Sequence, residues 1–301
     1  MLSADFQKYL AQIKPTAATG TLKTYGSILS TFNKKRFGKE AKFDESMEFI
    51  KDPADALSFF ESTYAESPPS TKKTLLAALY AVEANELYHA NMMRYSNENT
   101  QQIRTQEKSV VQAENWMNYD EVLKVVERYR KDTLKLFRSK VPLVGDDLIR
   151  AQRYVILALT SGVFIPPRRS LDWIDFNIRN IDETETNHIK KNNLVFVKYK
   201  TFKTYGKQTI EMPSKLRLLL AKWKVLNPYE SLLVNRDGTR LAGSKLTLAL
   251  NEIFERSIGT SMLRHIYLSE RLKDVPSLQE LDELARQMGH SIPQQLEYIK
   301  R

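Results

Sequence analysis

Ser261-Met262-Leu263-Arg264-His265, then Gly289-His290, then Tyr298 within Gln295-Leu296-Glu297-Tyr298: these pieces of the last 41 residues decide how the chain is read. An arginine, a histidine and a lone tyrosine in that order point to covalent chemistry on a phosphodiester. The guanidinium is a planar, permanently charged fork that matches phosphate oxygens. A phenol is a weak nucleophile until cationic neighbours and a base take its proton. Attack by Tyr298 on a DNA phosphate would keep the energy of the cut bond in a phosphotyrosine, with no ATP, metal or other cofactor needed.

Further positive charge is found upstream. Pro166-Pro167-Arg168-Arg169 follows a buried segment and precedes Ser170-Leu171-Asp172-Trp173. Two prolines restrict the backbone and would aim the arginines rigidly out of a turn. Lys200-Thr201-Phe202-Lys203 follows Asn193–Tyr199, a β-branched and aromatic run that predicts a strand. A long amine there could reach a leaving oxygen. Phosphoryl transfer gains most from such charge, placed where the transition state gathers its own.

The composition agrees with a polyanionic partner. There are 46 Lys and Arg against 36 Asp and Glu, a net charge of +10, which favours nucleic acid and makes binding salt-sensitive. The chain has no cysteine, which removes disulfides, thiolate catalysis and cysteine-metal sites together. Its four histidines, at 89, 188, 265 and 290, lack metal-ligand spacing. No apolar run is long enough for a membrane span and nothing resembles a signal peptide, so the expected location is the cytoplasm or nucleus of a host cell.

Helical periodicity governs the first hundred residues. Phe6-Tyr9-Leu10-Ile13 and Leu22-Tyr25-Ile28-Leu29-Phe32 carry apolar groups at helical spacing. Another helix is predicted after Pro68-Pro69-Ser70-Thr71 and is expected to run toward Met93. Lys23, Lys34, Lys35, Arg36, Lys72 and Lys73 border these helices and are candidate contacts to a duplex backbone. Residues 99–112 are polar and read as a linker between a helical domain, 1–98, and a second domain, 113–301. In the second domain a buried helix is expected over 146–164, and a hairpin over 193–212 with residues 201–207 as its loop. Helices follow from about 214, 244, 259 and 277. The fold class is mainly α with a small antiparallel β-sheet.

Taken in order, ALTSGVFIPPRRSLDWIDF, LVFVKYKTFKTYGKQTIEMP, SMLRH, MGHS and QLEY resemble the motif series of the tyrosine recombinases, the phage-integrase family. The PPRR box with its KTFKTYG hairpin is most similar to crypton-type and eukaryotic viral or mobile-element members. The resemblance covers residues 112–301, and the N-terminal part is similar in kind to the family's core-binding domain. It implies a site-specific DNA recombinase that cuts and rejoins strands through a 3′-phosphotyrosyl link, as a tetramer on two duplex sites.

The resemblance also assigns roles. Arg264 and Arg168, with Arg169 the alternative to the latter, would grip phosphate oxygens. Lys200, or else Lys203, would protonate the departing 5′ oxygen. His290 would hydrogen-bond the phosphate and Tyr298 would attack. One position departs from the family: Ser261 stands where histidine is usual. Serine cannot act as a general base near neutral pH, although its hydroxyl can donate to phosphate. His265 adjoins Arg264, but adjacent helix residues point in different directions, so it is expected to pack or brace. Two other readings stay open: a DNA-binding protein on the same fold with weakened catalysis, and a type IB topoisomerase-like enzyme.

Overall fold

The structure, a computed structural model, describes residues 2–288 and 292. The chain divides into two compact units. One holds the residues up to Glu107 together with the described residues from Pro276, and the other is Lys108–Val275.

The first unit begins with six helices: α1 (Leu2–Ile13), α2 (Thr19–Phe37), α3 (Phe43–Lys51), α4 (Pro53–Thr63), α5 (Pro69–Val82) and α6 (Glu86–Arg104). Its core is aromatic, built on Phe6, Phe32, Phe60 and Tyr88, with Leu10, Leu29 and Leu76 between them. Edge-on rings dominate, as between Phe32 and Phe59 at 5.4 Å. α4 starts where a cap and a proline coincide. The Asp52 carboxylate accepts from the N–H groups of Ala54 and Asp55, and Pro53 needs no partner for a missing N–H.

The helix expected to run from residue 70 toward Met93 is two helices. α5 ends at Val82, Glu83 turns extended, and Asn85 restarts the chain by accepting from the Leu87 N–H at 2.9 Å. Apolar spacing continues across the break, so periodicity alone does not reveal it. α6 then runs on to Arg104, which makes the first part of the polar 99–112 stretch helical.

The second unit opens with α7 (Val110–Asn115), α8 (Tyr119–Asp132), α9 (Leu134–Phe137) and α10 (Gly145–Thr160). α10 is the spine, with Leu148, Ala151 and every residue from Tyr154 to Thr160 buried. α11 (Ser170–Ile174) leads into a sheet of β1 (Phe176–Asn177), β2 (Asn187–Lys190), β3 (Asn193–Phe196) and β4 (Gln208–Glu211), with a helical turn, α12 (Phe202–Tyr205), between the last two. The strands lie in the order β1-β2-β3-β4. The hairpin is antiparallel as expected, Asn193 facing Glu211 and Phe196 facing Gln208. β1 pairs with β2 in parallel, so the sheet is mixed, where a purely antiparallel one was expected.

β3 stops at Phe196, short of the Tyr199 expected from composition. The buried Asn187 side chain explains this: its oxygen accepts from the N–H groups of Val197 and Lys198, at 2.9 and 2.8 Å. Its nitrogen donates to the carbonyls of Asp172 and Lys198. A saturated amide therefore replaces the ladder and ties the hairpin to α11.

α13 (Ser214–Leu226), α14 (Gly243–Phe254) and α15 (Thr260–Arg271) complete this unit. They close a core that includes Trp173, Phe176, Phe196 and Trp223. α16 (Leu278–Met288) belongs with the first unit. Ser277 and Glu280 cap its start reciprocally, and the Leu278 N–H donates to the Gln106 side chain. The four helix starts expected near 214, 244, 259 and 277 are all present. Among the described residues no helix is long and apolar enough to cross a membrane.

Candidate phosphate-binding site

Two segments of the second unit that are far apart in sequence meet through a glycine. The loop after α10 reverses at Gly162, whose φ is +88°, and the Tyr267 ring of α15 lies directly over it. The loop then delivers Pro166 to Arg169, while α15 carries Arg264 one helical turn before Tyr267.

Asp172 is the focus. Its side chain is 3% exposed, and the Arg168 Nε donates to it at 2.7 Å. Burial pushes its carboxyl above the usual carboxylate range, opposed by the charges of Arg168, Arg169 and Arg264. The three arginines of the two motifs therefore act on one buried acid. Oδ1 of that acid has no hydrogen-bond partner among the described residues. An acid here keeps guanidinium groups together that would otherwise repel.

Arg168 is heavily engaged. Besides Asp172 it donates to the Gln208 side-chain oxygen at 3.0 Å, and its guanidinium lies 4.0 Å from the Phe196 ring centroid and 5.3 Å from that of Tyr199. Arg169 sits at the N-cap of α11, half-buried, and makes no side-chain hydrogen bond or ion pair among the described residues. Arg264 is half-buried and also has neither among them.

The lysine loop is closed at its base by the Tyr199 hydroxyl, which donates to the Gly206 carbonyl at 2.7 Å. Lys200 precedes the α12 turn and Lys203 lies in it, and both are exposed. Within residues 201–207, the expected hairpin loop, α12 occupies four positions. Lys198 was not a candidate, and its ammonium is drawn to Asp175 at 3.6 Å.

Ser261 and His265 are both exposed on α15. Four residues apart, they share a face one turn from each other. His265 therefore does not pack as expected from its adjacency to Arg264. His290 and Tyr298 lie outside the described residues.

Sequence reasoning quoted Asp172 without giving it a role, and passed over Gln208, Asn187 and Tyr267. The one available signal was the position of Asp172, one helical turn after the arginine pair. The other three are recognisable only once the hairpin and α15 are folded against that turn.

In the first unit the basic candidates differ. Lys23 and Lys34 are exposed and Lys73 is half-buried, and none makes a side-chain hydrogen bond or ion pair among the described residues. Lys35 lies over the Tyr64 ring at 4.2 Å. Arg36 pairs with Asp55 at 3.4 Å and covers Phe49 and Phe59. Lys72 donates to the Ala65 carbonyl at 2.7 Å and lies over Tyr95. Among the described residues, no group of acids and histidines could hold a metal.

The chain is similar to a solved structure of lambda integrase, a dimer of the 75–356 fragment bound to a COC′ core site. The TM-score is 0.52 at 14% identity, covering 92% of this chain and 90% of that one. No known family profile matches the sequence, and no curated protein matches it. The similarity is one of architecture: mostly helical, with a small four-stranded mixed sheet, this chain has the fold of lambda integrase, a tyrosine recombinase.

Proposed function

We propose that this chain is a site-specific DNA recombinase of the tyrosine type, resembling the crypton and viral mobile-element members. The observation that carries the reading is the gathering of the arginine pair and Arg264 around Asp172, beside a lysine hairpin, within a lambda integrase fold. Arg264 and one arginine of the pair hold the nonbridging oxygens of the scissile phosphate. The Tyr298 oxygen bonds to phosphorus as the bond to the 5′ oxygen breaks. Lys200, with Lys203 the alternative, gives that oxygen its proton, and His290 donates to the phosphate. The proton of Tyr298 leaves to water, since Ser261 cannot take it and the protonated lysine has no acceptor to offer. Rejoining is the same exchange in reverse, so neither a metal nor ATP enters. The first unit grips duplex DNA through its basic residues, and four copies exchange strands between two sites in the cytoplasm or nucleus of a host cell.

The test is covalent capture. A pool of nicked duplexes of random sequence is mixed with the protein, and species that survive detergent are recovered and sequenced. Wild type is expected to yield adducts at one site, and Tyr298→Phe none, with DNA binding nearly intact because only the attacking hydroxyl is removed. An adduct from Tyr298→Phe overturns the nucleophile. Site-specific binding without adducts from wild type favours the second reading, a DNA-binding protein with lost catalysis, to which Ser261 points. Relaxation of a supercoiled plasmid without recombination would indicate a topoisomerase.

A further inference from the structure

We infer that Arg168 is a positioning residue that holds the lysine hairpin in place, and that Arg169 is the arginine of the pair that meets the phosphate beside Arg264. The inference rests on the recombinase reading and assigns the parts of its site.

A guanidinium that grips phosphate must offer its fork to the incoming oxygens. Two of the three Arg168 guanidinium nitrogens are engaged inside the protein. Nε is bonded to Asp172 on α11, one terminal nitrogen is bonded to Gln208 on β4, and the plane is stacked on Phe196 and beside Tyr199. The side chain is 16% exposed. Swinging it toward solvent would leave the buried Asp172 carboxylate without this partner, a costly state for a charge at 3% exposure.

Three of its four contacts lie at the two ends of one loop. Phe196 and Tyr199 precede Lys200 and Lys203, while Gln208 follows them and faces Phe196 across the ladder. Tyr199 in turn ties the loop to Gly206. Arg168 thus fixes the root of the lysine loop to the helical turn that carries Asp172. Arg169 has none of these commitments among the described residues. It precedes α11, is half-exposed, and its charge reaches Asp172 as that of Arg264 does.

The experiment compares two nicked duplexes of the captured sequence, one with oxygen and one with sulfur at the bridging 5′ position. A thiolate leaves without a proton, so the sulfur substrate bypasses the lysine and still needs the phosphate grip. Arg169→Ala is expected to slow adduct formation by about 10²–10³ on both substrates, the size of a lost transition-state donor. Arg168→Ala is expected to slow the oxygen substrate by about 10² or more, as when a general acid is lost, with sulfur restoring most of the rate. Gln208→Ala, which removes one contact of Arg168, should show the same pattern more weakly. It also carries the test if the melting curve shows Arg168→Ala to be unfolded. The assignment is overturned if sulfur fails to rescue Gln208→Ala and Arg168→Ala, or if Arg169→Ala is mild on both substrates. Absence of any wild-type adduct on either substrate would instead remove the recombinase reading beneath it.

Discussion

Gly162 and Tyr267 occupy each other's space so closely that a Cβ on the glycine would fall 2.3 Å from the Tyr267 Cδ2. The contact joins the loop that delivers Arg168 and Arg169 to the helix that carries Arg264. Glycine is required twice over, by the ring above it and by its φ of +88°.

Gly162→Ala is therefore expected to cost about 2–4 kcal/mol, from overpacking and backbone strain together. It should lower adduct formation more than DNA binding, because it separates the two arginine segments. Adding Tyr267→Ala should return part of the stability and leave the strain. Thermal unfolding of the two single variants and the double variant measures this. An additive double variant would mean that the ring and the glycine do not interact.

The basic residues of the first unit divide into occupied and unoccupied charges, and the division predicts different losses. Lys34→Ala and Lys73→Ala should each lower the slope of log binding constant against log salt by about 1, with little change in melting temperature. Lys72→Ala should lower the melting temperature, since its ammonium is bonded to the Ala65 carbonyl. Titrations of a labelled duplex across several salt concentrations give the slopes. Unchanged slopes for Lys34→Ala and Lys73→Ala would move the DNA contact to another face.

Much of this architecture is legible in the sequence because its signals are local. The hairpin from Asn193 to Glu211 announces itself by β-branched residues around a glycine-bearing loop, and α8 by acids in its first turn. Asp52 and Pro53 form a strong local start signal for α4, one that apolar periodicity alone does not pick out. The end of β3 and the parallel β1 depend on Asn187 and on chain far from them, which no window of sequence contains. The same holds for the site. The arginine pair, the hairpin lysines and Arg264 are motif residues, whereas the engagement of Arg168 and the freedom of Arg169 come from Gln208 and Phe196 across the fold.

Buried phenols predict how the fold fails in alkali. The Tyr88 hydroxyl donates to the Ile50 carbonyl at 2.7 Å, and burial, followed by Asp52 and Glu83, raises its pKa. Burial likewise raises that of Tyr154 in the second unit. The unfolded chain ionises its tyrosines at about pH 10, below these folded values. Above that pH it holds fewer protons than the fold, so this stability is complete below pH 10 and declines as pH rises through the folded pKa values. Melting temperature should therefore drop above pH 10, and Tyr88→Phe should show a smaller alkaline drop from a start lowered by about 1 kcal/mol for the lost hydrogen bond. An equal alkaline drop in Tyr88→Phe would exclude Tyr88 as a source.

Ser261→His tests whether the departure at the head of α15 limits the reaction. Ser261 is exposed, so an imidazole fits without disturbing Met262 or Leu263, which are the buried residues beside it. With a pKa near 6.5 in the absence of perturbation, it could accept the Tyr298 proton, which serine cannot. Single-turnover adduct formation between pH 6 and 9 is expected to quicken, with the gain appearing as the new imidazole loses its own proton, and the melting temperature should stay unchanged. His265 supplies the control, because it stands one turn away on the same exposed face. If His265 already serves as the base, His265→Ala slows the wild type and Ser261→His adds nothing to it. Should Ser261→His fold normally and react more slowly, the site is built around the serine hydroxyl as a donor to phosphate, and the idea of a handicap at this position fails.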